Sequence, residues 1–433
     1  VARLAVPAAG RVGLYAEDVA PSAVGEFNAG AATGPGAVTG TALALLLASV
    51  AAFGAPTQDP DWHIPLPPVG APSGATGQLP QPDAVRLRAA LTHYQHLAAA
   101  GGWPELPAGT TLQPGQRDAR VVALRNRLRL SGDFTGLPGT ADAWFFDGSL
   151  QRALQGFQAR HGLPPTGVPD ERTLTALNVP AADRVQQLQA TLTRWGWLPR
   201  DFGPRYLWVN VPGGSLELVE DGTVTLSMRV IAGHPDRPTP SFQDTVTAIV
   251  VNPPWSVPRT IAAEALPPSH QEDPTFLARL GIRVLDGNGE ERDPARIDWQ
   301  RVSADNFPYR FRQNPGPLNS LGKLKFVLSN PWDIFLHDTP SRRLFDLNSR
   351  TLSSGCIRVE QPEQLAARLV GAASAATLDR VAAEAAPTAA PTTRTLTIPQ
   401  PIPIYVVYLT AWVTPEGVVN FRPDVYGRDA RLR

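Results

Sequence analysis

Cysteine and methionine are almost missing from this chain of 433 residues, which holds one of each. A lone thiol cannot close an internal disulfide or build a multi-cysteine zinc site, so the chemistry of Cys356 is that of a single sulfur, a nucleophile or a small buried hydrophobe. So few thiols also suit an oxidising compartment. Net charge is missing too: 39 Lys and Arg balance 39 Asp and Glu. This removes the electrostatic case for a nucleic-acid partner, and the mixed charges along the predicted helices read as solvated faces. Long apolar runs are scarce. Residues 37–55 form a candidate, but the run is mainly alanine and is read as a scaffold helix in preference to a membrane segment. What is plentiful is proline and glycine, 45 and 37, which predict long loops. The length predicts two or three domains, and 43% hydrophobic with 18% charged residues is compatible with globular cores.

Without context, a free cysteine is more often buried than reactive. The context of Cys356 is Ser353-Ser354-Gly355-Cys356-Ile357-Arg358-Val359. Gly355 removes side-chain bulk beside the sulfur, the serines suit a turn, and Arg350 and Arg358 would favour a thiolate if the fold brings them close. A thiol with a pKa of about 8.5 also needs a base. His337 ends an apolar run that reads as a strand, and Asp338-Thr339-Pro340 stops that strand, so the imidazole is expected at a strand end facing a loop. The other six histidines have no comparable link to Cys356. Ser320-Leu321-Gly322-Lys323 fits the Ser-x-x-Lys pattern of penicillin-binding proteins, but Gly322 suits the required helix poorly and no Lys-Thr-Gly partner occurs.

His337-Asp338-Thr339-Pro340-Ser341, Leu344-Phe345, Arg350 and the Ser353–Val359 segment together resemble the active-site signature of the L,D-transpeptidases, in particular the large periplasmic multidomain branch of Gram-negative bacteria. Three further blocks, Val230–Pro240, Asn252–Pro258 and Asn306–Gln313, resemble that branch. The resemblance implies a thiol acyltransferase. Cys356 would attack the diaminopimelate carbonyl of a peptidoglycan tetrapeptide stem, release D-alanine, and pass the thioester to a second stem amine as a 3→3 cross-link. Transfer to water or to a lipoprotein lysine are the other outcomes it implies. His337 would be general base and acid, and Gly355 would supply a backbone oxyanion donor together with the Cys356 N–H. A carbonyl near the Ser-Gly pair would orient the imidazole. Arg358, Ser353, Ser354, Phe335 and Thr339 would contact substrate. Phe335 stands where many members have tyrosine, and Ser354 where many have histidine. No metal and no cofactor are expected. The expected partners are donor and acceptor stem peptides, β-lactams of the carbapenem type as inhibitors, and other cell-wall synthesis proteins. The expected location is the periplasm, with the protein soluble or anchored by an N-terminal segment.

The expected fold is multidomain α+β: a mostly-β L,D-transpeptidase catalytic domain with a lid insertion, a three-helix peptidoglycan-binding-like domain, and a helical scaffold. Residues 1–36 offer no clear fold and 37–107 form a partial scaffold with a helix near Arg86–Ala100. Residues 108–178 carry helical periodicity at Asp118–Leu128 and Leu150–Gln158, and a third helix capped by Asp170. Phe157-Gln158-Ala159-Arg160-His161-Gly162-Leu163 with Pro164-Pro165-Thr166-Gly167 resembles the peptidoglycan-binding signature; a plain helical spacer is the alternative. Residues 179–381 are the expected catalytic domain, opening with a helix at Asp183–Trp197 and continuing in strands from Tyr206, with the lid at about 258–322. A linker at 382–394 and a C-terminal β extension at 395–433 complete the reading.

Overall fold

The structure, a computed structural model, describes residues 82–109, 111–135, 142–302, 307–371, 378 and 391–432. The expectations for residues 1–36 and 37–55, and for most of the linker, lie outside these residues.

Five helices come first. Helix α1 (Pro82–Ala99) buries Leu87, Ala90 and Tyr94, spaced to fall on one face, against Leu188 of α5 (Ala181–Trp195). Between them, α2 (Arg120–Leu130), α3 (Gly148–Arg160) and α4 (Glu171–Asn178) close a small core of Val121, Leu124, Leu128, Leu150, Leu154, Phe157 and Leu177. Asp147 and Asp170 cap α3 and α4 by accepting from the N–H groups of Leu150 and Thr173, each such cap stabilising by about 1 kcal/mol.

The sequence then changes period. Strands β1 (Arg205–Asn210), β2 (Ser215–Glu220), β3 (Thr223–Gly233) and β4 (Phe242–Val251) lead into the insertion. The insertion folds as its own unit: β5 (Trp255–Ser256), α6 (Arg259–Glu272), α7 (Phe276–Arg279), β6 (Ile282–Leu285), β7 (Glu291–Arg292) and β8 (Arg310–Gln313). Its four strands pair in the order β5-β8-β6-β7 around Leu266, Leu277, Val284, Trp299 and Phe311. Local sequence does not announce α6, because Pro267-Pro268 lies inside it; proline normally stops a helix by removing a backbone donor.

The chain returns through β9 (Leu324–Val327), β10 (Leu336–His337), β11 (Thr351–Ser353), β12 (Ile357–Val359), α8 (Pro362–Val370) and β13 (Arg394–Val407), and ends with the hairpin β14 (Ala411–Val413) and β15 (Val419–Phe421). The main sheet runs β11-β3-β12-β10-β9-β4-β13-β1-β2, and a further β3–β2 pairing closes it on itself. Closure leaves few unpaired edges and a continuous core that includes Leu207, Phe242, Ile249, Phe326, Leu336, Ile357 and Ile404.

One expectation changes here, and one rejected motif is accounted for. The chain from 395 was expected to be a C-terminal extension, yet β13 sits in the middle of the sheet, parallel to β1 and antiparallel to β4. The catalytic sheet therefore needs chain beyond 381, a long-range pairing that local periodicity does not encode. The Ser320–Lys323 decoy is a turn: Gly322 has φ +60°, and a Cβ there would strike the Asp338 carboxylate. Among the described residues no helix is long and apolar enough to cross a membrane.

Candidate active site

Strand β10 is two residues long and is held on both sides, antiparallel to β9 and parallel to β12. Leu336 pairs with Phe326 and Ile357, all three fully buried in the core. The next register row must face the other way, and it consists of Lys325, His337 and Arg358. Phe335 and Cys356, two residues before His337 and Arg358, fall on that same face. Strand alternation alone thus assembles a base, a thiol, two cations and an aromatic ring.

This face forms one wall of a cavity of about 840 Å³, lined by Lys325, Phe335, His337, Cys356 and Arg358. Thr339, Ser353 and Ser354 also line it. The opposite wall is the insertion, through Trp255, Val257, Ile261 and Leu280. Gly355 is a buried residue of the turn and does not line the cavity.

His337 is buried, and its Nδ1 stands 2.5 Å from the Asp338 carbonyl oxygen. A carbonyl only accepts, so Nδ1 carries the proton and Nε2 keeps its lone pair. Burial, and then the charges of Arg358 and Lys325, push the imidazole pKa down to about 3. The ring is neutral at any physiological pH and ready to accept a proton. The orienting carbonyl is therefore that of the adjacent residue, not one near the Ser-Gly pair.

Cys356 is partly buried, and its Sγ donates to the Asp333 carbonyl at 3.6 Å. Burial pushes the thiol up to about 11, against the pull of the Phe335 backbone, Lys325 and Arg358. The resting pair is thus a thiol and a neutral imidazole rather than an ion pair. Asp333 has φ +53°, and its loop is pinned by Asn330, whose Oδ1 accepts from Trp332 and Ile334 N–H while its Nδ2 donates to the Ile334 carbonyl.

The turn before the sulfur is braced from within. Ser353 Oγ donates to the Cys356 carbonyl at 2.5 Å and accepts from the Gly355 N–H at 3.1 Å. Ser353 therefore shapes the turn, where substrate contact was expected. Gly355 N–H is already engaged as well, which differs from the expected oxyanion role; the Cys356 N–H, which no described residue engages, remains available. Gly355 has φ +114° and faces Ile334 so closely that a Cβ would lie 3.0 Å from its Cδ1, so its requirement is conformational.

Residues 204–387 match the family model for the YkuD L,D-transpeptidase catalytic domain, and residues 117–177 match the model described as "putative peptidoglycan binding domain". This part of the chain is an L,D-transpeptidase catalytic domain. A curated Haemophilus influenzae protein named "Putative L,D-transpeptidase" is 38% identical over 228 residues, covering 52% of this chain and 45% of that protein. The chain thus spans about half the length of the curated relative it matches. Among solved structures, an L,D-transpeptidase from Stackebrandtia nassauensis shares 13% identity over 60% of this chain and 90% of that one, with TM-score 0.24. L,D-transpeptidase 3 from Mycobacterium tuberculosis, solved with a faropenem-derived adduct, shares 13% over 47% and 60%, with TM-score 0.23. Superposition at that level carries no argument about chemistry.

Within the L,D-transpeptidase domain, several residues around the site were not found by sequence reasoning. Thr239 Oγ1 donates to the Gly355 carbonyl at 2.7 Å and accepts from Gly233 N–H at 2.8 Å. Tyr426, from the C-terminal segment, donates to the Gly233 carbonyl at 2.6 Å, and Arg428 donates to the Thr239 carbonyl at 3.1 Å. The Val230–Pro240 block carried the signal for Thr239; the segment Asp424–Asp429, which resembles the family's C-terminal extension, contains Tyr426 and Arg428 but gave neither a role at the site. Lys325 was missed because a lysine in a short strand reads as an edge charge. Phe335 offers no hydroxyl: its ring lies 3.9 Å beneath the Lys325 ammonium and edge-on to His337 at 5.6 Å, helping to keep that region dry. Ser354 is exposed and lies within 3.4 Å of Arg237. Thr339 is buried and accepts from Ser341 N–H at 3.2 Å. Among the described residues, no three His, Cys, Asp or Glu side chains gather as metal ligands.

Proposed function

We propose that this chain is a peptidoglycan L,D-transpeptidase of the periplasm. The observation that carries the reading is that Cys356 and a neutral, Nδ1-donating His337 line one cavity inside a domain matching the L,D-transpeptidase model. The thiol leaves its Asp333 contact when a stem peptide enters, and His337 Nε2 takes the S–H proton as sulfur attacks the diaminopimelate carbonyl. The Cys356 N–H supports the oxyanion. Collapse breaks the C–N bond, the imidazolium returns its proton to the departing D-alanine amine, and a thioester remains. A second stem amine attacks the thioester, loses a proton to His337, and releases the thiol with a 3→3 cross-link formed. The match at 117–177 supports a role for the helical domain in holding the wall polymer, and carbapenems are the expected covalent inhibitors.

A second reading, a wall-binding protein with little or no catalysis, is favoured by the thiol proton pointing to Asp333 instead of His337. Incubation with disaccharide-tetrapeptide followed by mass analysis separates the possibilities. Cross-linked dimer with D-alanine loss supports transpeptidation, disaccharide-tripeptide alone indicates an L,D-carboxypeptidase, and unchanged substrate refutes both activities.

A further inference from the structure

Lys325 and Arg358 flank His337 at one register level, on the cavity face, and neither is ion-paired among the described residues. Among the described residues no carboxylate lies within ion-pair distance of either side chain. Arg358 Nε is buried without a hydrogen-bond acceptor, and the Lys325 ammonium has the Phe335 ring as its neighbour. The nearest acidic residues do not compensate them. Asp338 is occupied by Arg342 and the Lys323 N–H, while the Asp333 carboxylate lines the same cavity and acts on Lys325 without closing an ion pair. Two cations removed from water beside each other are costly unless an anion joins them. Other cations near the site do have acidic partners: Arg229 pairs with Glu360 and Asp346, and Arg342 with Asp338.

We propose that Lys325 and Arg358 form a receptor for a substrate carboxylate, namely the free terminal carboxylate one residue beyond the scissile amide. This rests on the acyl-transfer reading above. That reading leaves three carboxylates on the donor stem, the terminal one, the one on the diaminopimelate side chain and the α-carboxylate of the γ-linked glutamate. The terminal one is favoured by chain geometry. The cations lie in the row adjacent to the thiol's own position, Arg358 two residues from Cys356 on the same strand face, within the reach of a single residue past the attacked carbonyl. The receptor would make the enzyme an exo-acting one that removes a single terminal residue and rejects an extended or capped peptide. It also couples binding to chemistry, because a bound carboxylate offsets the two positive charges beside the imidazole and makes the transient imidazolium less costly.

The test is binding to full-length Cys356→Ala protein by calorimetry, which needs no turnover. Three disaccharide-tetrapeptides are compared: the free acid, the C-terminal carboxamide, and the form amidated only on the diaminopimelate side chain. The expected result is that the C-terminal carboxamide binds about tenfold or more weakly than the free acid, as a charge-assisted hydrogen-bond pair predicts, while side-chain amidation changes affinity less than about threefold. Lys325→Met removes that discrimination, and Lys325→Arg restores it in a protein of unchanged fold. Equal binding of acid and carboxamide overturns the receptor. So does a loss confined to the side-chain amide, or a failure of the free acid to bind at all. Loss of the acyl-transfer reading has a separate signature, absence of D-alanine release by the wild-type chain while the acid-over-carboxamide preference persists.

Discussion

Two buried histidines in this chain have nearly the same electrostatics and different uses. His161, at the end of α3, donates from Nδ1 to the Phe157 carbonyl at 2.8 Å, and burial together with Arg160, Arg184 and Arg127 drives its pKa well down. His337 donates from Nδ1 to the Asp338 carbonyl, with burial, Arg358 and Lys325 acting in the same direction. His161 is stacked on Phe157 at 3.9 Å and faces Phe421 at 5.7 Å, with packed rings around it. His337 opens onto a cavity shared with a thiol. The cations differ as well. Around His161, Arg160 is paired with Asp133 at 2.6 Å, Arg127 lies 3.6 Å over the Trp103 ring and donates to the Leu177 carbonyl, and Arg184 lies 4.6 Å over Phe421 and donates to the Ala176 carbonyl. Around His337 no described carboxylate closes an ion pair with either cation; the Asp333 carboxylate, on the cavity wall, acts on Lys325 from beyond that distance. A depressed histidine pKa therefore does not mark a site; the open cavity and the uncompensated cations do.

Substitutions that should behave oppositely in the two regions sharpen this contrast. The largest effect is expected on turnover: His337→Phe should lower kcat by at least about 10²-fold, while His161→Phe should leave it within about twofold, read by D-alanine release. Next, Asp133→Ala leaves Arg160 buried without its carboxylate and should cost about 3–5 kcal/mol in denaturant unfolding. Lys325→Met takes away an uncompensated charge and should leave stability unchanged or raise it by up to about 2 kcal/mol. A matching loss in both would remove the distinction.

Both histidines also contribute to acid sensitivity. Each folded pKa lies below the free value of about 6.5, so the unfolded chain binds more protons, and stability falls as pH drops below that value, for His337 down to about 3. Either Phe substitution should therefore flatten the acid limb of the stability profile, measured by urea midpoints across that window. The smallest effect is expected from Tyr426→Phe, which removes the hydroxyl bond to Gly233 and should cost about 1 kcal/mol with a few-fold drop in turnover.

Much of the site was legible in the sequence because its residues are close together along the chain. His337 and Arg358 are carried by two short strands, with Cys356 in the turn leading into the second, and the apolar residues beside them, Leu336 and Ile357, already fixed which way the polar ones point. The helices at Arg120–Leu130, Gly148–Arg160 and Glu171–Asn178 announced themselves by period and cap. What was not legible depends on distant pairing. The insertion of β13 into the sheet, the Tyr426–Gly233 bond and the alignment of Lys325 with His337 join segments from different parts of the chain. The roles of Ser353 and Gly355 were hidden for another reason: one hydroxyl closes the turn and takes the N–H that sequence reasoning had given to the oxyanion.

The central claim is that the Cys356 thiol, served by a neutral His337, accepts an acyl group from a peptide. Intact-protein mass spectrometry after brief exposure to disaccharide-tetrapeptide tests it most directly. The expected product is an adduct equal to the substrate minus alanine, mapped to Cys356 and absent from Cys356→Ala. An unmodified protein mass at every time point, with D-alanine still attached to the substrate, would contradict it.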